Sequence, residues 1–193
     1  MAMFVNPDNS AFQVALNSEI YVDKTGMLEY TNKVMNTLQG YICNSRPRRF
    51  GKSVTANMLA AYYSRGCDSK EMFSTLKISE STEFEKNINK YDVIHLDIQW
   101  CIEPAGGSEN VVSYITEKTI CELREYYPNE LSEKIKSLPE ALSVINSMNG
   151  TKFIIIIDEW DIIIRDEANN KKVQEEYILS LIHISEPTRP ISI

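Results

Sequence analysis

One stretch constrains this chain more than any other: residues 41–54, which read Tyr-Ile-Cys-Asn-Ser-Arg-Pro-Arg-Arg-Phe-Gly-Lys-Ser-Val. Its apolar beginning is typical of a short β-strand, and the basic turn that follows ends at Gly51, Lys52 and Ser53. Apolar residues then recur at intervals of three and four, which is typical of a helix. The stretch is therefore predicted to run strand, turn, helix, with an anion such as phosphate at the helix N-terminus.

The turn matches the second half of the P-loop pattern, G-x-x-x-x-G-K-[ST]. In that pattern backbone N–H groups and the Lys side chain cradle phosphates, while the Ser or Thr hydroxyl reaches Mg²⁺. Arg46 stands where the pattern has its first Gly. A Gly-Lys-Ser triplet by itself is weak evidence, because the start of a surface helix is the more common explanation for it. Its position between a predicted strand and a predicted helix favours the phosphate site.

A second half-motif lies near residue 158. The buried-strand pattern Phe153–Ile157 is followed directly by Asp158 and Glu159. P-loop ATPases place a Mg²⁺-binding carboxylate and a water-activating carboxylate at the end of such a strand. A core strand that ends in a solvated acidic turn is the alternative for this stretch alone. The two half-motifs together favour a nucleotide site.

Three stretches resemble a known family: residues 21–26 (Tyr-Val-Asp-Lys-Thr-Gly), 45–53 and 153–161. They are similar to the AAA-ATPase-like family of bacteria and archaea, and the resemblance runs from about Phe12 to about Leu181. Arg in place of the first Gly is the usual form in that family. The resemblance implies a P-loop NTPase-type parallel sheet flanked by helices, often followed by a PD-(D/E)XK nuclease-like domain in the parent protein. It also makes Asp23 and Lys24 candidates for lining the nucleotide pocket.

The predicted ligands are ATP and Mg²⁺, and each predicted site residue has a stated role. The residues expected to bind the nucleotide are Arg46, Arg48, Arg49, Phe50, Gly51, Lys52 and Ser53. Ser53 and Asp158 are expected to hold Mg²⁺, and Glu159 to orient the attacking water as the catalytic residue. The preferred function is an ATP-binding domain with ATPase activity in the parent protein. The alternatives are a regulatory or interaction module that binds nucleotide without turnover, and an interaction domain that binds none.

Composition restricts the other function classes. The chain has 193 residues, a formal charge of −7 and four cysteines without metal-ligand spacing. One globular domain is expected, and binding to duplex nucleic acid is not, because basic residues cluster only around the turn. The chain begins without a signal-peptide pattern and has no apolar run of about 20 residues, so it is expected to be cytoplasmic, with no membrane contact.

The rest of the chain alternates strand and helix patterns, which predicts an α/β fold with a parallel sheet. Strands are expected at 41–44, 91–98 and 152–157. Helices are expected after Thr25 as N-cap, over 112–126, after a capping box at Ser137, and over 172–180. His95 is expected to be a core residue with its hydrogen bonds satisfied.

The end of the chain departs from these patterns. Residues 182–193 contain two prolines without periodicity and resemble a non-native tail, so residues 1–181 are expected to form the domain, incomplete at its C-terminal side. In P-loop proteins whose catalytic Glu adjoins the Mg²⁺-binding Asp, the next strand is the central sensor strand, and it lies between the P-loop strand and the strand that carries the acidic pair. Here it would come after residue 181. We therefore expect residues 1–193 alone to bind ATP weakly or not at all, to be inactive and to be poorly soluble.

Overall fold

The computed structural model of the chain describes residues 3–45, 50–167 and 170–185. These ranges contain two strands, β1 at Asp92–Asp97 and β2 at Phe153–Asp158. The helices before β1 are α1 (Ser10–Leu16), α2 (Gly26–Val34), α3 (Lys52–Tyr63), α4 (Lys70–Phe73) and α5 (Phe84–Asn87). Those after β1 are α6 (Ile98–Ala105), α7 (Val111–Tyr126), α8 (Leu138–Asn149), α9 (Ile162–Asp166) and α10 (Lys171–Ser185). Single 3₁₀ turns lie at Lys77–Glu80 and Ser108–Asn110.

The two strands form a parallel ladder, with Asp92 opposite Phe153 and Asp97 opposite Asp158. Parallel neighbours need a long crossover, and the chain from α6 to α8 supplies it. Because the strands run in one direction, their carboxyl ends share one edge of the sheet. That edge carries Asp97 and Asp158, directly across from each other.

Helices cover both faces of the sheet because successive strand side chains point in opposite directions. Ile94 and Leu96 belong to a core formed with α6, α7, α8 and α10. Val93 and Ile156 belong to a second core, formed with α1, α2 and α3. The predicted α/β arrangement, a parallel sheet flanked by helices, is confirmed.

The strand predicted at 41–44 is wrong, since the structure shows no strand over residues 41–45. Tyr41 and Ile42 leave 56% and 41% of their surfaces exposed. A strand exists only as part of a hydrogen-bonded ladder, and the ladder within the described ranges joins β1 to β2. An apolar run in the sequence was therefore not sufficient to predict a strand. The strands predicted at 91–98 and 152–157 are confirmed, with ends one residue or so away.

The predicted positions of the helices are confirmed, but the two predicted side-chain N-caps are wrong. α7 ends at Tyr126 as predicted, and α8 ends where Gly150 takes a φ of 74°. Neither Thr25 nor Ser137 caps its helix through the side chain. The Thr25 hydroxyl donates to Asp23 Oδ1 at 2.7 Å and accepts from the Ile78 N–H at 3.1 Å instead. α10 continues five residues past its predicted end.

In the described part of the chain, no helix combines the length and the apolar character needed to cross a bilayer.

His95 departs from its prediction in one respect. The ring is largely buried on β1, as expected, but its Nε2 has no hydrogen-bond partner among the described residues. Burial lowers the pKa of His95 below its ordinary value of 6.5, and the nearby Asp158 carboxylate opposes that shift only in part. The imidazole is therefore neutral in the folded chain at neutral pH.

This histidine should make the fold acid-sensitive. The unfolded chain takes up a proton near pH 6.5 and the folded chain does so only at lower pH, so stability falls as pH drops below about 6.5. The slope from one such group is at most about 1.4 kcal/mol per pH unit. Denaturant unfolding from pH 7.5 to 5.5 measures it. His95→Gln should flatten the slope, whereas the exposed His183→Gln should leave it unchanged; equal slopes in all three chains would contradict the assignment.

Candidate functional site

The two half-motifs meet at the carboxyl edge of the sheet. α3 begins at Lys52, and of the acidic pair Asp158 ends β2 and Glu159 follows it. Lys52 Nζ lies 3.9 Å from Glu159 Oε1, and the two side chains are 24% and 22% exposed. Two segments far apart in sequence thus bring a cation and a carboxylate together at the N-terminus of α3.

Gly51 matters at the turn into α3 in two ways: its backbone is left-handed, and it leaves space beside the turn. Its φ of 72° and ψ of 42° are left-handed, a conformation that costs residues with a Cβ atom about 1–2 kcal/mol. Its carbonyl accepts hydrogen bonds from the N–H and the hydroxyl of Thr55, which start the helix. A Cβ at this position would also lie 2.6 Å from Lys24 Nζ. Glycine therefore allows the turn and leaves room for a second cation.

Lys24 reaches this turn from the segment before α2. Its Nζ donates to the carbonyl oxygen of Phe50 at 2.7 Å. The residues on either side of it are fixed elsewhere: Asp23 Oδ1 accepts from the Thr25 N–H at 2.8 Å, and Asp23 Oδ2 accepts from the Lys77 N–H at 2.8 Å. Thr25 is fully buried. Partial burial raises the pKa of Asp23, but these hydrogen bonds outweigh it and hold that pKa below its ordinary value.

The sheet edge gathers three carboxyl groups. Asp158 is 8% exposed, and its Oδ1 accepts from the Glu159 N–H at 3.0 Å. Glu159 has a φ of 49°, so the chain turns sharply as it leaves β2. Asp97 accepts from the Trp100 N–H at 3.2 Å and caps α6. Burial raises the pKa of Asp97, and the negative charges of Asp158 and Glu159 raise it further.

A metal cage built from protein ligands alone is absent from the described residues. They contain no group of three or more His, Cys, Asp and Glu side chains placed to hold a metal ion.

Sequence reasoning missed Arg165 on α9. Its Nη2 lies 3.3 Å from Glu159 Oε2, and its Nε lies 3.5 Å from Asp161 Oδ2. The Glu159 carboxylate is therefore shared between Lys52 and Arg165. The four-residue spacing of Asp161 and Arg165 could have predicted their contact on a helix. The contact with Glu159 could not be predicted, because it depends on the turn between β2 and α9.

The structure describes some of the predicted site residues and not others. Phe50 and Ser53 flank the Gly51–Lys52 turn and are exposed, Phe50 by 60%. Asp158 and Glu159 lie on the adjacent edge of the sheet. The predicted nucleotide-binding arginines lie outside the described residues: Arg46, Arg48 and Arg49.

An apolar cleft elsewhere in the fold is a poor alternative site. Its lining has almost no polar surface and no charged side chain, which suits neither a phosphate nor a metal ion. The residues that line it belong to β1, α6, α7 and α10: Leu96, Ile98, Val112, Ile115, Tyr177, Ser180 and Leu181.

Substitution of Gly51 should separate its two roles. Gly51→Ala should cost about 1–2 kcal/mol for the left-handed backbone, plus the displacement of Lys24. Gly150→Ala is the matched control, because Gly150 has a φ of 74° and nothing within 4 Å of a Cβ. Denaturant unfolding should show a larger cost at Gly51, and Lys24→Ala in the same chain should remove the excess. Equal costs at both glycines would contradict the close approach of Lys24.

The comparison with protein families gives one match. Residues 10–183 match the AAA-ATPase-like family, described as a predicted AAA-ATPase. Searches of curated proteins and of solved structures found no match to this chain. The matched residues span nearly the whole chain and include the stretches 21–26, 45–53 and 153–161, whose resemblance pointed to the same family. An ATPase-like, nucleotide-binding role follows at that general level, and the chain belongs to the AAA-ATPase-like family.

Proposed function

We propose that the chain binds ATP, together with Mg²⁺, at the N-terminus of α3 through a P-loop. The observation that carries the proposal is the approach of Lys52 Nζ to Glu159 Oε1, because it unites the two half-motifs at one sheet edge. Either motif alone fits an ordinary helix start or strand end. Their meeting is what a P-loop ATPase fold requires of a lysine and a catalytic glutamate.

The helix terminus supports phosphate binding on electrostatic grounds. The first N–H groups of a helix have no partner within the helix and carry a partial positive charge. Lys52 and Lys24 add full positive charges at that same end, where cations are disfavoured. An anion between them would reverse the unfavourable interaction. In the proposal, the N–H groups of Gly51, Lys52 and Ser53 cradle the phosphates, and Lys52 pairs with the outermost ones.

The residues present fit a Mg²⁺ ion that a nucleotide brings with it. Mg²⁺ binds through one or two carboxylates, phosphate oxygens and waters rather than through a protein cage. Asp158, nearly buried at the end of β2, and the hydroxyl of Ser53 would hold it. The ion would neutralise charge on the phosphates.

Glu159 is the residue proposed to orient the attacking water. Its carboxylate now contacts Lys52 and Arg165. A phosphate group that pairs with Lys52 would release one of these contacts and leave Arg165 to position the carboxylate. The alternative is a module that binds nucleotide without turnover. Glu159→Gln in the parent protein, where turnover is expected, separates them, because an ATPase loses turnover and keeps affinity, while a non-hydrolysing module changes in neither.

Removal of the Lys52 charge should weaken ATP binding about tenfold or more, since a charge-assisted hydrogen bond contributes about 1.5–3 kcal/mol. Lys52→Met keeps the aliphatic length of the side chain. Lys33 is an exposed lysine on α2, so Lys33→Met is the matched control for net charge. Saturation-transfer NMR with millimolar ATP and Mg²⁺ detects weak binding as well as tight binding.

Two results would refute the proposal. The first is the absence of any ATP signal from the unchanged chain at millimolar concentration, because the proposal commits to weak binding where the sequence left both weak binding and no binding open. The second is an equal affinity of the Lys52→Met and Lys33→Met chains, which would place the nucleotide away from α3.

The Glu159→Gln chain should bind ATP as tightly as the unchanged chain or more tightly. In the unchanged chain the Glu159 carboxylate lies beside Lys52 and competes with the phosphate for that cation. The substitution removes this competition. Asp166→Asn, at the end of α9, removes a charge of the same sign outside the site. Titration of both variants with ATP measures the effect; weaker binding by Glu159→Gln would show that this carboxylate helps to hold the nucleotide rather than to activate water.

A further inference from the structure

Lys24 adds a positive charge at the site, but the proposed roles assign it no contact with the nucleotide. Its Nζ touches the carbonyl oxygen of Phe50 at 2.7 Å and occupies the space beside Gly51 that a Cβ would take. It approaches the turn from the segment before α2, whereas Lys52 belongs to α3 itself. The turn is therefore flanked by two ammonium groups from separate parts of the chain.

The position of Lys24 does not result from a need to hold its own segment in place. Asp23 and Thr25 fix that segment through hydrogen bonds to the N–H groups of Lys77 and Ile78. Thr25 is fully buried, so its bond to the Ile78 N–H is shielded from water. The side chain of Lys24 could be removed without releasing them, and the segment would still face Gly51.

The surroundings of the Lys24 ammonium are unfavourable for a cation on its own. It lies at the N-terminal, positive end of α3, where a cation is repelled by the helix dipole and by Lys52. The contact that opposes this repulsion is a neutral carbonyl at an exposed position. Water could hydrate that carbonyl equally well, so the contact gives little reason to hold a lysine here. A polyphosphate would give one.

We propose that Lys24 is a second phosphate-binding cation, which contacts the polyphosphate of the nucleotide from the side of the turn opposite the α3 backbone. The proposal rests on the proposed function and assigns one more residue to that site. In the absence of nucleotide the ammonium rests on the Phe50 carbonyl. On binding it exchanges this neutral acceptor for a phosphate oxygen, which is a stronger, charged one.

Three variants separate this role from a purely positioning one. Lys24→Arg keeps both charge and donor, Lys24→Gln keeps a donor for the Phe50 carbonyl without charge, and Lys24→Met keeps neither. Lys33→Met is the control for net charge. The probes are ATP with Mg²⁺ and inorganic tripolyphosphate, which carries the phosphates without the base. Saturation-transfer NMR follows ATP, and competition against ATP follows tripolyphosphate.

The expected pattern is loss of about tenfold in affinity for both probes with Lys24→Gln and Lys24→Met. Lys24→Arg should stay within about threefold of the unchanged chain, because guanidinium binds phosphate as well. The Lys33→Met chain should bind as the unchanged chain does.

Each other outcome counts against a specific claim. Wild-type affinity in Lys24→Gln with loss in Lys24→Met would show that Lys24 only positions the turn, and would overturn the inference. Wild-type affinity in both would do the same while leaving the Lys52 site intact. If the unchanged chain binds neither probe, the proposed function fails and this inference fails with it.

Discussion

The parallel pairing of β1 with β2 is the constraint on which the rest of the structure depends. It sets Asp97 opposite Asp158 and brings the carboxyl ends of both strands to one edge. It also divides the apolar side chains between two cores, with Ile94 on one side and Ile156 on the other. The second core holds α3 against the sheet, so its N-terminus comes to lie beside the acidic pair that follows β2.

That arrangement separates positive from negative charge at the site, and a ligand with both signs of charge can neutralise the two sides. On one side stand a helix N-terminus, Lys52 and Lys24, and on the other stand the three carboxyl groups of the sheet edge. The Lys52–Glu159 contact and Arg165 balance part of these charges. The proposed ligand, a polyphosphate with Mg²⁺, would carry both signs of charge in the same order. In the proposal, phosphates pair with the lysines and the metal ion pairs with Asp158.

Much of this could be predicted from the sequence, because local patterns determine local structure. The five-residue apolar run before Asp158 predicted β2, and the helical spacing after Lys52 predicted α3. What failed depends on partners distant in sequence. Residues 41–44 have the composition of a strand, but the ladder of the described chain joins β1 to β2. Thr25 has the chemistry of a helix cap, but its hydroxyl contacts Asp23 and Ile78. Arg165 and Lys24 reach the site through turns whose direction no pattern shows, although the family resemblance had made Lys24 a candidate.

The most direct test of the account is hydrogen exchange, followed by mass spectrometry, with and without millimolar ATP and Mg²⁺. Bound phosphate would accept hydrogen bonds from the amides at the start of α3 and would tighten the turn after β2. The account predicts slower exchange in peptides that cover Phe50–Thr55 and Asp158–Trp160, and unchanged exchange in α7 and α8. Protection confined to the apolar cleft between α7 and α10, or no protection at the start of α3, would contradict it.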